Sequence, residues 1–136
     1  MINFNFETDF QLPKKEQLSN WIIETIKSEG CKAGDINYVF CDDEYLHKLN
    51  VEFLQHDTLT DIISFDYSVG KELHGDVFIS IERVKENAQE LGIGFELELN
   101  RVMIHGILHY CGYKDKEEKD KIEMREKEDF YISRLT

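Results

Sequence analysis

IISFDYSVGKELHGDVFISI, residues 62 to 81, sets two runs of β-branched and aromatic residues on either side of a polar, glycine-bearing stretch. IISFDY (62–67) and DVFISI (76–81) have strand composition, and SVGKELHG (68–75) reads as a turn region, so the pair predicts a hairpin. Upstream, Ile2, Phe4 and Phe6 alternate with polar residues, which predicts another strand. After Pro13, KKEQLSNWIIETIKSEG puts Leu18, Trp21, Ile22 and Ile26 on one helical face and stops at Gly30. DINYVFCD (35–42) predicts a strand. DDEYLHKLNVEFL (42–54) predicts a helix capped by Asp42 or Asp43, with Leu46, Leu49, Phe53 and Leu54 at helical spacing. HDTLTD (56–61) is a polar connector. Downstream, helices are predicted over 82–91, ended by Gly92, and over 95–111, ended by Gly112. KEEKDKIEMREKEDFYI predicts a last helix whose apolar residues are sparse and whose opposite charges at i,i+4 favour a solvated face. The order β-α-β-α-β-β-α-α-α belongs to the α+β class: one domain over 1–136, with a small mixed sheet of about four strands packed with helices.

Composition sets outer bounds. The chain has 136 residues, 41% of them apolar and one of them proline, which suits one core and excludes disorder. Its formal charge is −12, from 28 acidic and 16 basic residues. Such a surface repels nucleic acid and anionic membranes at long range, so an RNA partner requires a local basic or metal-bearing groove. Cys31, Cys41 and Cys111 form no CxxC and are odd in number, which fits reduced thiols in a cytosol. The start, MINFNFETDF, has no basic or apolar leader, and no apolar run approaches about 18 residues. A cytoplasmic protein without a membrane span is expected.

The chemistry concentrates in HGILHYCGYKD, residues 105 to 115. On a helix His105 and His109 lie ~40° apart and one turn along the axis, so both imidazoles can face one ion. Cys111 points elsewhere and is rejected as a ligand. Gly112 suits a left-handed helix cap that turns the chain back, bringing Asp115 toward the ion. A His105/His109/Asp115 set, at the end of a helix in the C-terminal half, leaves a coordination position open, as catalytic zinc sites do. The flanking VMIHGILHYCGY is apolar, and two histidines on one line of such a helix need buried partners. In HExxH peptidases a glutamate follows the first histidine; here it is Gly106, so the motif holds no base. Helical glycine costs about 1 kcal/mol against alanine, which predicts a packing or access reason for it.

HGILHYCGYKD resembles the HGxLHLxGYDH signature of the YbeY endoribonucleases, bacterial metalloproteins linked to rRNA maturation. LNVEFLQHDTLTDIISFDY (49–67) resembles that family's LNxxYRxxDxPTDVLSFP segment, and HGDVFISIERVKENAQELG (74–92) resembles LGDIVISxxxAxxxAxexG. The likeness runs nearly continuously over 49–115. It implies an α+β fold, one zinc ion, and hydrolysis of single-stranded RNA with a metal-activated water, in 16S rRNA 3′-end maturation and ribosome quality control. It implies rRNA precursors and ribosomal components as partners, and no DNA. His105 and His109 match the first two ligands, and Asp115 stands where the family usually has a third histidine. A carboxylate is a competent zinc ligand but a harder one, which leaves the native metal open. The family's phosphate-holding arginine is replaced by Leu54, with His56 and Lys114 as candidates to take over. The general base is not assigned; Thr60, Ser64 and His56 are the candidate groove residues.

Other residues carry two readings each. Thr60, Asp61 and Ser64 read on spacing alone as turn residues bonding their own backbone, the reading preferred for Asp61, while the resemblance raises the reading that they line a groove beside the metal. Asp76 either orients an imidazole or starts a strand. His47 and His74 read as surface residues. Phe65, Tyr67 and Phe78 read as core ahead of base-stacking platforms, and Arg83, Lys85 and Arg101 as solvated charges ahead of phosphate contacts. The ligand set would also suit a metallopeptidase-like hydrolase, a non-haem iron site, or an assembly factor with a structural metal, although the absent glutamate argues against the peptidase.

Overall fold

A computed structural model describes residues 1–135. The elements run β1 (Ile2–Phe6), α1 (Lys15–Ser28), β2 (Lys32–Cys41), α2 (Asp43–Leu54), β3 (Ile62–Asp66), β4 (Glu72–Ser80), α3 (Ile81–Leu91), α4 (Phe95–Tyr110) and α5 (Glu118–Ser133). This is the order expected of the α+β class. The four strands form one mixed sheet in the order β1-β2-β4-β3. β1, β2 and β4 are parallel neighbours, while β3 turns back antiparallel on β4 with Ile62 opposite Ile79.

The hairpin at 62–81 is tighter than its composition implies. β4 begins at Glu72, because that part of the chain pairs with β2 through Lys32–Glu72 and Ala33–Leu73. β2 likewise starts at Lys32, ahead of the apolar run. Ile81 leaves the strand to open α3, capped by the Ser80 hydroxyl accepting from the Arg83 N–H at 3.2 Å.

Period two separates the two faces of the sheet. Val77 and Ile79 of β4 join Ile36, Tyr38 and Phe40 in the main core, which α1 and α4 close with Trp21, Ile22, Ile26, Met103, Ile104, Ile107 and Leu108. Phe65 and Phe78 point the other way, into a smaller cluster with Cys41, Leu46 and Ile63 under α2. Only Leu46 of the expected α2 stripe is fully buried; Phe53 and Leu54 are 59% and 43% exposed. Tyr67 is also exposed, so its assignment to the core does not hold.

The last helix departs most from expectation. Its solvated face is real, but Met124, Glu128 and Tyr131 form a buried line at i, i+4 and i+7. The Tyr131 carbonyl accepts from the Trp21 indole at 2.8 Å. The Glu29 carboxylate, just past α1, accepts from the hydroxyls of Tyr131 and of Tyr113, the latter at 2.7 Å. Burial works against the Glu29 charge, yet the two phenols and Lys127 together lower its pKa. This network ties α1, the segment after α4, and α5 together around the end of α4.

Candidate metal centre

α4 carries the site, and its two ends are fixed differently. Along its length the helix lies close on the sheet. A Cβ at Gly106 would come within 3.2 Å of Ile62 Cδ1 and 3.3 Å of Val77 Cγ1. The glycine therefore faces apolar packing against β3 and β4, which accounts for its place in the helix. At the C-terminal end the Tyr110 hydroxyl donates to the carbonyls of Phe65 and Asp76, at 3.0 and 3.2 Å, and pins α4 across both strands.

Beyond Tyr110 the chain makes a Schellman turn. The N–H of Tyr113 donates to the carbonyl of Leu108 at 3.1 Å and that of Gly112 to His109 at 3.0 Å, with Gly112 at φ 105°. That turn reverses the chain and sets two groups on His109. The Tyr113 carbonyl accepts from His109 Nδ1 at 2.9 Å, and Asp115 Oδ2 stands 3.2 Å from His109 Nε2.

The result is a triangle of three atoms. His105 Nε2 and His109 Nε2 are 3.0 Å apart, and Asp115 Oδ2 lies 3.3 and 3.2 Å from them. A tetrahedral zinc ion with arms of ~2.0–2.1 Å needs ligand atoms ~3.3–3.4 Å apart. The proton inventory points the same way. A carbonyl and a carboxylate only accept, so the partners of both Nδ1 atoms, Tyr113 O and Glu128 Oε2, require protons on Nδ1. In neutral imidazoles both Nε2 atoms then present lone pairs toward an acceptor-only carboxylate. Three convergent lone pairs repel one another unless a metal ion, or a proton on one imidazole, lies between them. The side chains form the one group of three or more His, Cys, Asp or Glu among the described residues that could hold a metal. Imidazole nitrogens with a carboxylate oxygen suit zinc and other first-row divalent ions.

Glu128 was not foreseen as part of this site. Its Oε2 accepts from His105 Nδ1 at 2.7 Å, while Oε1 pairs with Arg101 at 3.0 Å. Arg101 also reaches Asp129 at 2.7 Å. Burial disfavours charge on His105, but the bond and charge of Glu128, with Asp115 and Asp61 behind it, raise its pKa overall. Asp76, read either as orienting an imidazole or as starting a strand, lies inside β4 and accepts from Asn37 of β2 at 3.0 Å.

The triangle faces a cavity of about 450 Å³ lined by Thr60, Asp61, Ser64, Glu98, Arg101 and Arg125, among others. Thr60, just before β3, and Ser64, on the same face of β3 as Ile62, thus reach the groove. His56 and Lys114 are exposed and do not line it. Asp61 is more than a turn residue: it lines the cavity, accepts from Asn87 at 3.3 Å, and has its pKa raised by burial despite the opposing charge of His105. Glu98 is buried, with Oε1 lacking a hydrogen-bond partner among the described residues. Its pKa is raised by burial and by the neighbouring charge of Asp61. Arg101 is held in ion pairs at the cavity wall, not solvated, and Arg83 is paired with Asp43 at 2.9 Å. His47 is half-buried beside exposed Asp57, and half-buried His74 is held by Glu72. Helix period alone offered no signal for Glu128 or Glu98, since each is polar and buried, and Asp61 lies outside any helix.

Known proteins share both this sequence and this architecture. The family model described as endoribonuclease YbeY matches residues 2–136. An endoribonuclease YbeY of Flavobacterium johnsoniae is 60% identical over 98% of this chain and 96% of its own length. One of Christiangramia forsetii is 56% identical over 97% of this chain and 92% of its own. A Thermotoga maritima protein solved in solution superposes with a TM-score of 0.71 at 32% identity, covering 99% of this chain and 89% of that one. With its fold, its signature stretch and its relatives in agreement over nearly the full length, the chain belongs to the endoribonuclease YbeY family.

Proposed function

We propose that the domain over residues 1–136 is a zinc-dependent endoribonuclease that cleaves single-stranded RNA in the cytoplasm, during rRNA 3′-end maturation and ribosome quality control. His105, His109 and Asp115 are its metal ligands. The observation that carries this reading is the convergence of Nε2, Nε2 and Oδ2 within 3.3 Å while both Nδ1 atoms are tied to acceptors. Zinc held there by His105, His109 and Asp115 would supply an activated water and a Lewis acid for a phosphoryl oxygen at neutral pH.

The chain's own residues supply the rest. Glu128 and the Tyr113 carbonyl hold the protons at Nδ1 and so fix both imidazoles in the ligating tautomer. Thr60 and Ser64 give the wall facing the ligands hydroxyls that suit phosphate or ribose oxygens. Three ligands beside an open cavity favour a catalytic centre over a closed structural one. Gly106, packed on the sheet, leaves the helix without a peptidase's glutamate, which favours a nuclease over a peptidase. No helix among the described residues is long and apolar enough to cross a membrane, in keeping with a cytoplasmic partner such as rRNA.

The test is direct. Purified protein is assayed for bound metal and incubated with single-stranded RNA, beside a His109→Ala variant. The expected result is stoichiometric zinc and cleavage that stops on chelation and in the variant. Zinc without metal-dependent cleavage refutes the nuclease; no metal at all refutes the site.

A further inference from the structure

The cavity beside the triad is short of available positive charge. Asp61, Glu98, Asp115 and Glu128 line it, against Arg101 and Arg125. Arg101 is already engaged by Glu128 at 3.0 Å and Asp129 at 2.7 Å. Leu54, at the end of α2, is uncharged and, like His56 and Lys114, does not line the cavity. Arg125 differs from all of these. It is exposed, stands on α5 directly after buried Met124, and has no ion pair or hydrogen bond among the described residues. It also borders a second hollow that shares His105, Asp115 and Glu128 with the first. Arg125 therefore stands where the two hollows meet, and two of the three triad residues line the same two hollows. Its charge reaches inside, since it is one of those opposing the rise in the Glu98 pKa.

From this placement we infer that Arg125 is the phosphate-contact residue of the site, gripping a backbone phosphodiester of single-stranded RNA that crosses from one hollow into the other. The inference rests on the nuclease reading above. A guanidinium suits the role because its planar fork can engage two phosphate oxygens at once. An unpaired one also gives up no existing partner when it binds.

The experiment measures binding of a fluorescein-labelled single-stranded oligoribonucleotide by anisotropy over a salt series. It compares the wild type, Arg125→Ala and Arg125→Lys, each zinc-loaded and chelator-treated, with cleavage kinetics alongside. Arg125→Ala is expected to weaken binding about tenfold and to flatten the salt slope by about 0.7, the value for one phosphate contact on a single strand. KM should rise while kcat stays within about twofold, and Arg125→Lys should recover the slope but only part of the affinity. Metal content and melting temperature should match the wild type, because the side chain is exposed and makes no ion pair or hydrogen bond among the described residues. Arg125→Ala with wild-type affinity and slope overturns the inference and leaves the nuclease standing if cleavage persists. Wild type that binds RNA but does not cleave it refutes the nuclease, and a flattened slope in Arg125→Ala then still supports the contact. A wild type that binds no RNA overturns both.

Discussion

Glu128 is where the candidate site can be broken without touching a ligand. The carboxylate is 5% exposed and divides its oxygens between His105 Nδ1, at 2.7 Å, and Arg101, at 3.0 Å. Loss of a partner that orients a ligating histidine typically costs 10–100-fold in metal affinity. Glu128→Gln keeps an oxygen for Nδ1–H, but its amide N–H groups then face the Arg101 guanidinium, donor against donor. About tenfold weaker zinc binding is expected. Glu128→Ala removes the acceptor and the charge together, and about 100-fold is expected.

These factors translate into melting temperature. At zinc 100-fold above the wild-type Kd, binding stabilises the folded chain by ~2.7 kcal/mol; at the same zinc the Gln variant keeps ~1.4 kcal/mol and the Ala variant ~0.4 kcal/mol. For a chain of this size 1 kcal/mol moves Tm by roughly 3–4 °C. The zinc-induced rise should therefore fall from ~9 °C to ~5 °C and then to ~1–2 °C. Competition with a chromophoric chelator gives the affinities independently. A folded Glu128→Ala protein with zinc affinity within about threefold of wild type would show that the 2.7 Å contact does not orient His105, and the reasoning fails.

Two further outcomes concern packing and charge. Gly106→Glu, which restores the peptidase pattern HExxH, should destabilise by several kcal/mol because it forces a carboxylate between Ile62 and Val77; a variant that melts like the wild type would contradict the close approach of α4 to the sheet. Glu98 has a folded-state pKa raised by burial and by Asp61, so its favourable contribution is fully present below the unfolded value and disappears as pH rises through the folded one. Glu98→Gln should accordingly be more stable than the wild type at pH 8 and differ little from it near pH 4.5, whereas parallel melting curves across that range would refute the assignment.

Apolar period carried most of the fold, and where it failed the cause was pairing or burial of an unusual kind. β4 extends back to Glu72 because β2 offers it partners, and no local residue pattern announces a neighbour that is distant in sequence. Phe53 and Leu54 continue the apolar spacing of α2, yet the helix outruns the small cluster it covers, and they remain exposed. In α5 the helical line exists, but its middle member is Glu128. A pattern that equates polar with solvated counts such a residue against burial, when here it is buried because an imidazole and a guanidinium pair with it.

The same distinction divides the site. His105, His109, Gly112 and Asp115 lie within one turn of helix and one reversal, so spacing and a left-handed glycine are enough to bring them together. Asp61, Glu98, Arg101, Arg125 and Glu128 arrive from the approach to β3, from α4 and from α5, and only tertiary packing sets them around one cavity. That packing also bears on the charge of −12. Long-range repulsion falls off within a Debye length of about 8–10 Å, whereas a phosphate inside the cavity meets the local field. There Glu128 and Asp129 neutralise Arg101, and Arg125 is left available. An acidic surface and an RNA-directed site are therefore compatible in one small domain, provided that affinity comes from a few contacts made at close range and not from steering at a distance.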